Sequence, residues 1–578
     1  MFNQLKLLLS SNKSNKIYIL FFLLILILIF EMIGIGFIPI YAVLITSPET
    51  ILNKIPADLN LNFFNLLNEK NLILYGSVIL FLTFVIKNIF LGILIYVEGN
   101  LMKSLRLSTS KKLFNHYMNS NYLFYVNSNP ATIIRTLNHD VGLAYKYISS
   151  FLLLLREFLL VFIVLILLLS VNILVYSSSF IIFSLMTAIF YFLLKNKLVD
   201  KGKALQIEHS KNIKIIGQSF SSIKEIKISQ KENFFTNLYY TSVNLIEKLY
   251  FFSYLVSKYP RLLLEILAVL MITSFAFIMF FFDAEGQLIP LLALLAAACI
   301  RFIPALNSII GSLNSLKFYS PSFDLIYKQL KTALSAKDAT NKIANNLNKD
   351  KINFDIEIAL KDVSFSYPNS NKLALENVNL NIKKGEIIAI IGSSGSGKTT
   401  LINLILGFIS PNKGEVKVDN KNIINNLESW QSKLGYVPQD VYLMDETLRE
   451  NIAFGVLEDN VNHDLINEVV KKSRLEDFIN NLPDKLESNV GNVGSKISGG
   501  QRQRIGIARS LYTEPEILIL DEATNSLDIE NENKIIDEIF ENKSDKTIII
   551  ISHRHNNLHR FDKIYKIENG KVGLDEKT

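Results

Sequence analysis

The chain has almost no sulfur chemistry to offer. A single cysteine, Cys299, among 578 residues excludes an intrachain disulfide and any cluster held by cysteine thiolates. It sits in an apolar run and reads as a small buried hydrophobe. Histidine is sparse as well, with seven scattered copies. Only His555 and His559 could share a helix face, and neither has the acidic or cysteine company a metal site needs. Charged residues make up only 20% of the chain, and their net balance is +7. That excess falls mainly in loops flanking long hydrophobic runs, which favours an anionic membrane surface over nucleic acid as its partner. The amino-terminal run also lacks the small-residue cleavage pattern of a signal peptide and is about twice as long as an h-region, so it is expected to be retained as a first membrane span.

The apolar residues that replace this missing polarity are concentrated before residue 315, where six runs are expected to cross a membrane: about 17–45, 72–98, 150–170, 173–194, 250–282 and 287–312. Several exceed the ~20 residues that the hydrocarbon core requires, so they should tilt or continue beyond it. The two long segments between spans 2 and 3 and between spans 4 and 5 carry sixteen Lys and Arg, against two, Lys54 and Lys70, on the other side. The positive-inside rule therefore places the long loops, the N-terminus and everything after span 6 in the cytoplasm. The first external loop, 56–68, has Leu59, Phe63, Leu66 and Leu67 at helical spacing. It fits either an amphipathic helix lying on the membrane face or a helix covering the ends of spans 1 and 2.

After a Lys, Asn, Ala and Asp-rich stretch that reads as a linker (331–352), the pattern becomes soluble α/β. The expected division is a transmembrane domain over 1–330 and a nucleotide-binding domain over 353–578. Residues 356–365 read as an edge strand because they alternate only in part. A buried-strand pattern, 386–391, runs directly into Gly392, Ser393, Ser394, Gly395, Ser396, Gly397, Lys398, Thr399 and Thr400, and a helical pattern follows. This is a phosphate loop in the context it requires. Its glycines allow backbone amides to turn around a triphosphate, Lys398 reaches the terminal phosphates, and Thr399 is a ligand for Mg²⁺. A second buried strand, 517–520, ends in Asp521 and Glu522. Acids at that strand end suit an Mg²⁺-orienting carboxylate, Asp521, and a general base for the attacking water, Glu522.

Ile497-Ser498-Gly499-Gly500-Gln501, together with the phosphate loop, resembles the signature of the ATP-binding cassette (ABC) family. The resemblance covers 356 to about 570 and extends to Tyr367, Gln439 in Val437-Pro-Gln-Asp440, Asp528 and His553. It implies a P-loop ATPase with an inserted helical subdomain and ATP and Mg²⁺ as cofactors. Tyr367 would stack on adenine, Gln439 would sense the nucleotide and its metal, and His553 would contact the γ phosphate. Two copies would pair head to tail, each ATP lying between one phosphate loop and the Ser498–Gly500 segment of the other copy. Val490-Gly-Asn-Val-Gly494 has Asn492 where exporters of the family often carry Glu.

Six spans ahead of one cassette resemble the half-size ABC exporters. The resemblance implies a homodimer with short cytoplasmic docking helices, expected near 127–135 and 219–227. Ionisable residues inside spans are functional candidates by default: Glu31, Lys87, Arg156, Glu157, Lys258, Arg261, Glu265 and Arg301. Arg261 and Glu265, four apart, can neutralise each other. Lys87 and Arg301 need a partner from elsewhere, either a substrate anion or Glu31. Segments 29–32, 85–88, 260–265, 301–304 and 489–492 are similar to bacterial lipid-linked oligosaccharide flippases. The implied function is ATP-driven translocation of a polyprenyl-pyrophosphate glycan across the bacterial cytoplasmic membrane, with Lys87, Arg261 and Arg301 as candidate substrate contacts. The alternatives are an exporter of another amphipath (lipid, drug or peptide), a non-transporting ATPase, disfavoured by the fused spans, and an ATP-gated channel, disfavoured by the presence of Glu522 and His553.

Overall fold

The computed structural model describes residues 14–46, 69–171, 173–281, 285–346, 351–368, 370, 372–491, 497–522, 537, 540, 546–552 and 560–575. Asn492, Asp528, His553, His555, His559 and the 56–68 loop lie outside the described residues. The chain forms two compact units: residues 1–120 with 127–338, and 121–126 with 339–578.

The first unit is helical. Among the described residues its long helices are α1 (Ser14–Thr46), α2 (Glu69–Met118), α5 (Val141–Val171), α6 (Ile173–Ser221), α8 (Glu232–Phe281) and α9 (Glu285–Asn346), with the short α4 (Pro130–Arg135) and α7 (Ile223–Ile228) between them. By length and composition, three stretches of the described residues are apolar and long enough to cross a membrane: Tyr18–Ile45, Ile73–Met118 and Pro130–Leu169. At 1.5 Å per residue, a 50-residue helix such as α2 is about 75 Å long, more than twice the ~30 Å hydrocarbon core. Its lysine-rich C-terminal half must therefore stand outside the lipid. A core of Leu28, Ile35, Val164, Leu264 and Leu306 joins α1, α5, α8 and α9. Gly202 on α6 lets another helix approach closely, because an added Cβ would lie 2.1 Å from the Phe318 carbonyl oxygen of α9. Helix α9 continues through 331–346, where composition suggested a linker. Lys and Ala in that stretch are good helix formers, and Lys331, Thr332, Leu334 and Ser335 are exposed.

Among the described residues, the second unit contains two sheets. A six-stranded sheet has the order β10-β9-β3-β8-β7-β6, parallel throughout except for β10. Its strands are β3 (Ile387–Gly392), β6 (Leu434–Val437), β7 (Ile517–Asp521), β8 (Thr547–Ser552), β9 (Lys563–Glu568) and β10 (Lys571–Leu574). The strands β3, β7 and β8 are nearly continuous Ile and Leu, as parallel strands covered on both faces must be. A four-stranded antiparallel sheet has the order β2-β1-β4-β5, built from β1 (Glu357–Phe365), β2 (Leu375–Lys383), β4 (Lys413–Val418) and β5 (Lys421–Asn422). β1 lies inside this sheet, paired with β2 and β4, and is not the edge strand its imperfect alternation suggested. Register shifts on both sides of Val363 break the alternation. Between β6 and β7 the chain runs through helices at Leu448–Ile452, His463–Lys472, Glu476–Asn480 and Gly499–Tyr512, whose apolar faces share a core with β7 and β8.

Candidate nucleotide site

The parallel register brings the functional strand ends to one edge. Ile391 of β3 faces Ser552 of β8, and Ile551 of β8 faces Asp521 of β7. The turn after Gly392 and the acids after Leu520 therefore open on the same side, where a parallel sheet presents ligands. At Gly392 any side chain would collide with the neighbouring strand, because a Cβ would lie 2.5 Å from the Ile567 carbonyl oxygen. Gly397 has φ +117°, a left-handed value that only glycine adopts without strain. It begins the helix Lys398–Ile405, so free amides at that N-terminus point into the loop. The buried Lys398 folds back and donates to the carbonyl oxygens of Gly392 and Ser393, both at 2.9 Å. Burial pulls its pKa down, and the charges of Glu522 and Asp521 oppose that shift. Thr399 is exposed, whereas Ser396 and Thr400 are buried; the Thr400 hydroxyl lies 3.3 Å from the Tyr367 hydroxyl.

Asp521 and Glu522 are both buried. Glu522 has φ +50°, strained for a residue with a Cβ, and its Oε2 accepts from Gln439 Nε2 at 2.9 Å. The Asp521 Oδ2 accepts from the Tyr436 hydroxyl at 3.2 Å. Burial pushes the Asp521 pKa up; the Tyr436 hydrogen bond opposes this, the Glu522 charge adds to it, and Lys398 opposes it. The Tyr436 phenol is itself pushed well above its ordinary value, by burial first and then by Asp521, so it remains a donor. Ser498 is exposed and caps the helix Gly499–Tyr512: its hydroxyl accepts from the Gln501 amide, and Gln501 Oε1 accepts from the Ser498 amide at 2.9 Å.

Most of the charged residues named in the apolar helices also find partners. Glu31 of α1, 3% exposed, forms ion pairs with Lys87 of α2, at 3.2 Å, and with Arg301 of α9. Arg261 pairs with Glu265 at 2.7 Å, and Arg156 with Glu157 at 3.2 Å.

Residues 375–525 match the family profile described as ABC transporter. The chain carries an ABC transporter ATPase domain. An ATP-dependent lipid A-core flippase from Methylobacillus flagellatus is 32% identical over 390 residues, 65% of this chain and 62% of that protein. An ATP-dependent lipid A-core flippase from Ralstonia nicotianae is 36% identical over 218 residues, 37% of each chain. The matched segments thus span between about a third and three fifths of these curated relatives. A solved bacterial Atm1-family ABC exporter with ATP bound superposes with a TM-score of 0.77 at 18% identity, covering 97% of this chain and 96% of that one. The whole chain therefore has an ABC exporter fold.

Within the ATPase domain, sequence reasoning missed Tyr436. Tyr436 sits on a strand end three residues before Gln439, and its position beside an acidic strand end was the available signal. Of the short helix α3 (Tyr122–Asn127), residues 122–126 group with the ATPase unit. Its Tyr122 ring stacks on Phe408, with centroids 5.2 Å apart, and Leu123 packs on the β-sheet core. The stretch 127–135 groups with the helical unit, where Arg135 of α4 pairs with Asp140 at 2.8 Å and donates to Gln206 and Ser210 of α6. α7 (Ile223–Ile228) also groups with the helical unit.

Proposed function

We propose that the chain is one half of an ATP-driven exporter or flippase of a bacterial cytoplasmic membrane, that it works as a homodimer, and that its substrate is an anionic amphipath, specifically a polyprenyl-pyrophosphate oligosaccharide. The observation that carries the ATP-driven part is the convergence of the phosphate loop and the buried Asp521–Glu522 pair on one edge of a parallel sheet. The donor set fits a Mg²⁺ nucleotide. Loop amides and Lys398 face the phosphates, the exposed Thr399 hydroxyl, Asp521 and Gln439 offer oxygen ligands, and Tyr367 lies beside Thr400 as an aromatic wall for the base. Mg²⁺ held by these residues would neutralise charge developing on the phosphates.

Lys398 gives up its hydrogen bonds to Gly392 and Ser393 to donate to phosphate oxygens, which gain more from its charge. Glu522 holds the attacking water, while Gln439, now its hydrogen-bond donor, keeps the carboxylate oriented. Ser498 and the amides of Gly499 and Gly500 stand at an exposed helix N-terminus, suited to closing on the γ phosphate of a second copy. His553 and Asp528 belong to the same proposed site. Closure of two such sites would drive the six proposed spans between inward and outward openings.

Charge supports the anionic part of the substrate assignment, whereas the lipid A-core flippase relatives support the second reading, an exporter of another amphipath. Glu31 neutralises only one of its two cations, leaving the Lys87–Glu31–Arg301 cluster at +1 inside an apolar helical core. Pairing of Arg261 with Glu265 favours the second reading, an exporter of another amphipath, because it leaves fewer cations for a diphosphate. In proteoliposomes the chain should flip a polyprenyl-pyrophosphate oligosaccharide with ATP and leave neutral drugs and phospholipids in place. Neutralising Lys87, Arg261 and Arg301 together should abolish flipping and preserve basal ATPase activity. Transport of drugs or phospholipids in preference would overturn the substrate assignment.

A further inference from the structure

The aromatic contacts around α3 continue inward. Tyr122 stacks on Phe408 at 5.2 Å with an interplanar angle of 23°. Phe408 meets Tyr436 edge to face at 6.4 Å and 86°. The Tyr436 hydroxyl then donates to Asp521 Oδ2 at 3.2 Å. All four residues belong to the ATPase unit, in which segment 121–126 is the piece contributed by the loop after α2. Phe408 and Tyr436 are packed against the same core that holds Trp430, fully buried with its indole N–H on the Ile405 carbonyl at 2.7 Å. The column therefore rests on a fixed floor, and its outer end is a ring supplied by the docking helix.

We propose that Tyr122, Phe408 and Tyr436 transmit the seating of segment 121–126 to the Asp521 carboxylate, so that Tyr436 is a positioning residue for the acid that orients Mg²⁺. The physical case is short. An Asp rotamer with one oxygen held by a phenol presents the other oxygen in a fixed direction, and loss of that hold leaves the carboxylate free to turn. A ring cannot slide in a close-packed stack without moving its neighbour. When the loop after α2 shifts its helix, the Tyr122 ring displaces Phe408, Phe408 displaces Tyr436, and the phenol either keeps or releases Asp521. This deepens the proposed ATP site and rests on its assignment of Asp521 to the metal.

The test reads metal binding directly. With the full chain in nanodiscs and ATP present, Mn²⁺ affinity is measured by electron paramagnetic resonance, alongside ATP binding in EDTA and thermal melting. Tyr436→Phe should weaken Mn²⁺ on the order of 10-fold, as loss of a group orienting a metal ligand does, while metal-free ATP binding and the melting temperature stay unchanged. Tyr122→Leu, which keeps an apolar contact and removes the ring, should weaken Mn²⁺ in the same direction, and Tyr122→Phe should not. The Tyr122→Leu/Tyr436→Phe pair should fall short of the product of the single effects, because one column carries both. Independent, fully multiplicative effects, or a Tyr122→Leu variant with parental Mn²⁺ affinity, would overturn the proposal. Mn²⁺ binding is read without turnover or transport, so a chain that binds metal in this pattern yet flips nothing would sink the flippase reading and leave the column standing.

Discussion

Asp521 is a carboxylate held in an unfavourable place. Its pKa is raised above the ordinary 3.8, chiefly by burial. The folded chain therefore binds this proton more tightly than the unfolded chain does, and stability falls as pH rises from about 3.8 through the raised value. Above that raised value the cost is fully present in the nucleotide-free protein. Asp521→Asn should accordingly melt higher than the parent at pH 7 without nucleotide, the difference shrinking in acid, and should lose the stabilisation that Mg²⁺ with ATP gives the parent; differential scanning fluorimetry across pH measures both. Glu31 is the opposite case, a buried acid with two cations. Glu31→Gln would strand Lys87, itself only 8% exposed, at a cost of about 3–5 kcal/mol. A detergent-solubilised melt should drop accordingly, and Glu31→Gln with Lys87→Met should recover part of the loss. The acids at 521 and 522 could be placed by sequence, because a phosphate loop and a strand-end Asp-Glu have one common geometry. The Glu31 cluster could not be decided that way, since its members lie on three helices and only packing selects among the possible partners.

At the scale of elements, close approaches and polar networks matter more than periodicity. Gly202→Ala on α6 would force a Cβ to 2.1 Å from the Phe318 carbonyl. That contact is backbone and cannot yield cheaply, so a loss of about 1–3 kcal/mol is expected, readable as a lower melting temperature with ATP binding by the second unit intact. Nearby, the π-helical turn Thr136–Asp140 brings His139 onto His209, with rings stacked at 4.5 Å and His209 Nε2 3.2 Å from the Tyr250 hydroxyl. Burial, then the neighbouring His139, pulls the His209 pKa from 6.5 to about 4. The unfolded chain takes up this proton first as pH falls, so the helical unit loses stability between pH 6.5 and about 4. His209→Gln should flatten that acid limb in a melting-temperature profile. The sequence pattern located the helices but not this turn, because Thr136-Leu-Asn-His-Asp140 has a single apolar residue and too little apolar spacing to show the phase shift of one extra residue.

For the molecule as a whole, the exposed Ser498 cap argues for a second copy. If each ATP lies between Lys398 of one copy and Ser498 of the other, mixed dimers of Lys398→Ala and Ser498→Ala chains should retain one wild-type site, whereas the double variant in one chain mixed with the parent should retain none, because each site then carries one lesion. Each homodimer alone should fall below about 1% of parental ATPase activity if the site obeys the usual losses of about 10²–10³ per charge-stabilising group. Tagged co-purification followed by phosphate release measures this, and full activity in the Lys398→Ala homodimer would remove the shared-site scheme.

The chain's sequence by itself determined the cassette: the phosphate loop, the acidic strand end and the capping signature are local patterns whose chemistry leaves little freedom of geometry. It also determined that the apolar runs precede the cassette, since solvation of backbone and charge decides where such runs can live. Only the tertiary structure decided that Glu31 answers both Lys87 and Arg301, that residues 121–126 join the ATPase unit, and that Tyr436 holds Asp521. Each of these joins residues far apart in sequence. Their pairing depends on which surfaces meet when helices and strands pack, and no short-range pattern encodes that.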